Sequence, residues 1–141
     1  DPKQLILKDF LKVPLLNQED CKCFFIKNEK INKDLAKDWF PLKTHHKELY
    51  AIKMLDISME PTIKSNSILF IKILHSIDLN ENDYYFCYLN KLDIFLIRKI
   101  KKIDSAYFLV PENNLLFNKI ELNDSVSMLG TVTDYYLHIK D

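Results

Sequence analysis

Hydrophobic and polar positions follow two different rhythms along the chain, with the change near Leu49. Before it, "QLILKDFLKVPLLNQEDCKCFFI" (4–26) has short apolar clusters broken by Pro14, which lacks an N–H and interrupts a helix. This stretch reads as an arm followed by a first strand. The next segment, "NKDLAKDWF" (32–40), predicts a short helix capped by Asn32, with Leu35 and Trp39 on one face and Pro41 as its stop. From Leu49 onward the texture is that of strands: "LYAIKML", "SILFIKI", "YYFCYLN", "DIFLIRKIKK", "AYFLVPE" and "SVSMLGTVTDYYLHI", separated by polar turns such as "LNEND" and "NKLD". The pattern predicts a mostly β domain with antiparallel pairing. Gly130 is the only glycine, so the turns must use Asn and Asp, which tolerate left-handed backbone better than other non-glycine residues.

Composition narrows the classes. A chain of 141 residues fits one domain with a real core. Twenty basic residues balance twenty acidic ones, which argues against this fragment gripping nucleic acid by itself, because phosphate binding needs a positive patch. Cys21, Cys23 and Cys87 are an odd number without a signal peptide, and read as reduced thiols of a cytoplasmic protein. No apolar run approaches the roughly 18 residues of a membrane span. The chain opens on Asp1 and Pro2, so 1–12 is read as a linker from a preceding domain and 13–141 as the domain itself.

Most familiar chemistry has no motif here, and no cofactor or metal is expected. A phosphate-cradling loop needs more than one glycine. "CKC" lacks the second pair of a zinc site, and its thiols are expected on opposite faces of a strand. His45 and His46 could feed a metal or act as a base, but adjacent histidines in a polar loop are more often solvated, and His75 and His138 carry no partner signal. Tyr84, Tyr85, Phe86 and Tyr88 could stack on bases, but in a strand such aromatics are more often core.

Four landmarks in fixed order remain: "SMEPT" at 58–62, "IRKIKK" at 97–102, "PEN" at 111–113 and "LGTV" at 129–132. With these, the chain from about Val13 onward resembles the C-terminal domain of LexA and phage CI-type repressors, the self-cleaving serine/lysine peptidases that include the UmuD mutagenesis proteins. The resemblance implies twisted antiparallel sheets of the signal peptidase-like, β-clip type with a short helix. It also implies a nucleophile at Ser58, an oxyanion turn at Ser58 and Met59, and a neutral lysine as general base. Deprotonating an ordinary lysine at pH 7 costs roughly 4.6 kcal/mol, which burial can offset.

Two departures alter that expectation. Counting back from Pro111, Arg98 occupies the family's lysine position, and strand alternation places Ile94, Leu96, Arg98 and Ile100 on one face, opposite Lys99 and Lys101. Neutralising a guanidinium at pH 7 would cost roughly 7 to 9 kcal/mol. Lys99 could act as base only if a bulge shifted the strand by one residue. Moreover, members of the family that the chain resembles cut themselves at an Ala-Gly or Cys-Gly pair, and residues 1–141 contain neither, which leaves a scissile bond upstream of Asp1 as the alternative. The expectation is a regulatory and oligomerisation domain of a LexA-like, phage-type transcriptional repressor with impaired or lost self-cleavage, in which Arg98 hydrogen-bonds near Ser58 or pairs with Glu60 or Asp56. The resemblance further implies a homodimer or higher oligomer, DNA contact only through an N-terminal domain, and a recombinase filament or antirepressor as stimulus. The alternative is an active autopeptidase using Ser58 with Lys99 as base.

Overall fold

The computed structural model describes residues 10–32, 36, 38–76 and 78–137. The first strand, β1 (Phe10–Pro14), pairs antiparallel with β2 (Trp39–Lys43) to form a two-stranded sheet. The β-rich remainder supplies β3 (Tyr50–Lys53), β4 (Ser67–Ile73), β5 (Tyr84–Leu89), β6 (Ile94–Ile103), β7 (Ala106–Val110), β8 (Ile120–Glu121) and β9 (Val126–Leu137). These build a seven-stranded sheet in the order β3-β4-β9-β5-β6-β7-β8, antiparallel at every pairing. The fold is therefore mostly β, as the strand texture predicts. No helix among the described residues is long and apolar enough to cross a membrane.

The helix lies elsewhere than expected. A helical segment, α1, begins at Gln18–Cys21 and widens into a π-helical turn over Lys22–Ile26, closed by Lys27 N–H to Lys22 O. Its start is a capping box: Asn17 Oδ1 accepts from Asp20 N (2.7 Å), and Asp20 Oδ2 accepts from Asn17 N (3.2 Å). Asn28 follows at φ 58, a left-handed residue suited to ending a helix. "QEDCKCFFI" is thus helical rather than strand, because Asn-x-x-Asp after Pro14 supplies a local cap that outweighs the β-favouring phenylalanines. Cys21 and Cys23 consequently sit on α1, not on opposite faces of a strand. Of the helix expected over 32–40, residues 33–35 and 37, including Leu35, lie outside the described residues, and Trp39 belongs to β2. Pro41 is accommodated in that same strand, within a two-stranded sheet where every strand is an edge.

Turns use the residues anticipated. Asn66, Asp93 and Asp104 have positive φ, joined by Ser105 in the two-residue link between β6 and β7. Gly130, by contrast, is not at positive φ; its role is steric. A Cβ there would stand 2.5 Å from Ile71 Cγ2 and 2.7 Å from the Lys72 carbonyl oxygen. This close approach falls where β9 changes partners, pairing with β5 up to Thr131 and with β4 from Gly130 onward, with register shifts on both sides.

Three apolar clusters hold the layers. Val13, Leu49, Ala51, Ile68 and Phe70 bind the β1–β2 sheet to one face of β3 and β4. On the other face, Cys21, Ile52, Met54, Met59, Ile63, Leu69, Ile71, Phe86 and Ile97 join α1 and the serine turn to the large sheet. Tyr85, Cys87, Ile100 and Leu109 fill the third. Because β4 is covered on both faces, its apolar run is continuous rather than alternating.

Candidate active site

Ser58 lies in the turn between β3 and β4. Met59 and Ile63 of this turn are fully buried, and the turn closes on itself through Ile63 N to Met59 O (2.8 Å) and Glu60 N to Ile57 O (3.2 Å). The Glu60–Pro61 peptide is cis. The "PEN" loop after β7 meets this turn: Asn113 N donates to Ser58 O (2.9 Å), and Asn113 Nδ2 donates to Ile57 O (3.3 Å).

Arg98 reaches Ser58 from β6. Its Nη1 donates to Ser58 Oγ at 2.7 Å and to the Ile97 carbonyl at 2.9 Å, and the Phe117 ring lies 5.6 Å from the guanidinium carbon. Both residues are closed to solvent: Ser58 is 0% and Arg98 3% exposed. Burial pulls the Arg98 guanidinium down from its usual value, while the Asp56 carboxylate and Cys87 oppose the shift. Its Nε finds no hydrogen-bond partner among the described residues.

Asp56 completes the group. Its Oδ1 accepts from Ser58 Oγ at 2.6 Å and from Ser58 N at 3.0 Å. Among the described residues no ion pair within 4.0 Å joins Arg98 to Asp56 or to Glu60; the hydroxyl of Ser58 stands between the guanidinium and Asp56 as a bridge. Arg98 therefore takes the hydrogen-bonding option of the two expected. Asp56, expected only as a partner for Arg98, instead bonds Ser58, and Asp-x-Ser has the spacing at which an Asx side chain bonds the amide two residues on.

Lys99 points elsewhere. It pairs with Tyr84 and Val110, and its Nζ lies 4.0 Å from Glu112 Oε1, where Tyr84 also donates at 3.4 Å. No bulge shifts β6 at this point: Arg98 faces Tyr85 and Lys99 faces Tyr84 in unbroken register. The Lys99 face is not polar throughout, since Ile97 on it is buried. Beside the serine turn, a cleft of about 1000 Å³ runs between α1 and the sheet, lined by residues including Leu16, Cys21, Met54, Asp56 and Ile97.

The other candidates are scattered. The rings of His45 and His46 lie 4.1 Å apart, tilted, between β2 and β3, His75 follows β4, and His138 lies outside the described residues. Tyr85, Phe86 and Tyr88 are buried core. The three cysteines are free thiols; burial, with Asp20 adding to it at Cys21, pushes Cys21 and Cys87 up to about 12. Among the described residues no three His, Cys, Asp or Glu side chains gather to hold a metal.

An antiparallel β domain that presents a serine on the turn between β3 and β4, met by a cationic side chain from β6, has the arrangement expected of a serine peptidase-like domain. The chain belongs to the Peptidase S24-like family, whose sequence profile matches residues 18–133. This is the LexA and CI C-terminal family that the ordered landmarks resemble. No curated protein matches the chain.

Proposed function

We propose that the chain is the regulatory and oligomerisation domain of a LexA-like, phage-type transcriptional repressor that has lost self-cleavage. The observation that carries this reading is Arg98 Nη1 at 2.7 Å from Ser58 Oγ, the place where the resemblance calls for a neutral lysine. A general base must have a lone pair to accept the serine proton, and a guanidinium offers only donors. Here Arg98 donates to the oxygen it would have to deprotonate. The burial of Ser58 supports the same reading. What survives such a loss is self-association, which in a cytoplasmic repressor pairs two DNA-binding heads on two half-sites of an operator. An antirepressor or a recombinase filament is then the stimulus to be read without cleavage.

The full-length parent incubated at alkaline pH, beside Ser58→Ala and Arg98→Lys, tests this. We expect the parent to stay intact on a gel and to sediment as a dimer or larger oligomer. Fragmentation that vanishes in Ser58→Ala would overturn the reading in favour of an active peptidase, with Lys99 as the base to test next. A chain that remains monomeric at high concentration would remove the oligomerisation role.

A further inference from the structure

One atom, Asp56 Oδ1, collects two donors that acyl transfer needs free. The Ser58 hydroxyl proton, which must pass to a base, is donated to it at 2.6 Å, and the Ser58 amide is donated to it at 3.0 Å. In serine peptidases the nucleophile's own amide is one of the donors that stabilise the developing oxyanion. A carboxylate bonded to that amide is an anion already seated at the donor. Arg98, hydrogen-bonded to the same hydroxyl, places a positive charge opposite Asp56, so the three groups form a hydroxyl-bridged ion pair that favours this closed arrangement.

We propose that Asp56 is a positioning residue that holds Ser58 shut independently of Arg98, so that a lysine placed at position 98 does not by itself return reactivity. The proposal rests on the reading of the chain as a silent peptidase. The arginine removes the base; the aspartate occupies the hydroxyl proton and an oxyanion donor. Two separate changes then stand between this chain and a working serine.

A fluorophosphonate probe reads this on the full chain at alkaline pH. Labelling forms a phosphorus–oxygen bond at Ser58 Oγ, breaks the phosphorus–fluorine bond with release of fluoride, and passes the serine proton to the amine introduced by Arg98→Lys. Arg98→Lys is expected to label no faster than the parent. Arg98→Lys with Asp56→Ala should label about ten- to a hundredfold faster than Arg98→Lys, the worth of one charge-assisted hydrogen bond. Arg98→Lys with Asp56→Asn keeps an acceptor for the amide without the charge and should fall between them, which separates loss of charge from loss of the turn. Full labelling of Arg98→Lys alone, or no gain on removing Asp56, would overturn the proposal. In the parent itself, NMR should show the Ser58 amide proton shifted downfield by its hydrogen bond to the Asp56 carboxylate; an amide at an ordinary shift overturns the proposal without any variant. Ser58-dependent cleavage by the parent would instead overturn the silent-peptidase reading, while equal rates with and without Asp56 would overturn only the role of Asp56.

Discussion

Arg98 and Ser58, 40 residues apart in the chain, are joined by a hydrogen bond of 2.7 Å in which the guanidinium is the donor. The contact is possible because β6 keeps unbroken register with β5, which places Arg98 and not Lys99 beside the serine turn. A buried cation whose Nε finds no partner among the described residues is an expensive feature, since desolvating a charge costs several kcal/mol unless pairing and hydrogen bonds offset it.

Substitutions at position 98 should separate packing from charge. Arg98→Ala leaves a void and removes the donor to Ser58 Oγ, and is expected to cost about 2–4 kcal/mol. Arg98→Met fills the volume without a charge to desolvate, and should stay within about 1 kcal/mol of the parent or exceed it. Urea unfolding midpoints of the two variants check this; equal losses would mean that the charge itself stabilises the fold.

Gly130→Ala is expected to destabilise by about 1–3 kcal/mol, as overpacking does in a filled site. Its Cβ would meet Ile71 Cγ2 at 2.5 Å and the Lys72 carbonyl oxygen at 2.7 Å. Trimming Ile71→Ala in the same chain should not restore stability, because the carbonyl contact remains. Thermal unfolding of the single and double variants is the measurement.

Removing the α1 cap with Asn17→Ala should cost about 1 kcal/mol. The loss is expected to be local, so amide exchange should quicken over residues 18–26 with little change in β4 or β5. Uniform acceleration across the sheet would show instead that α1 unfolds only with the whole domain.

The buried thiols set a base limit. Cys21 and Cys87 are raised from an ordinary 9.0 to about 12. Above pH 9 the unfolded chain therefore releases protons that the folded chain keeps, and stability falls as pH rises, by up to about 1.4 kcal/mol per pH unit for each thiol until the folded groups titrate. Below pH 9 this contribution is fully present. Unfolding midpoints measured between pH 8 and 11 should show the decline, and Cys21→Ala should remove part of the slope.

Some of this protein was legible in its residues alone. The β class followed from strand texture after Leu49, the left-handed turns at Asn66, Asp93 and Asp104 from a chain with one glycine, and the inward Arg98 from a strand period of two. These properties are local, decided by backbone preference and alternation within a few residues. The start of α1 is local too: the capping box of Asn17 and Asp20 sets it, although Pro14 and the short apolar clusters around it read as extended chain. Tertiary structure alone decided that Asp56 would take the Ser58 proton and amide while Arg98 took the oxygen's lone pair. Asp-x-Ser fixes only a turn. That the hydroxyl inside it becomes a bridge between a carboxylate and a guanidinium depends on the pairing of β5 with β6 and on the loop at Asn113, contacts between residues far apart in the chain that no local pattern encodes.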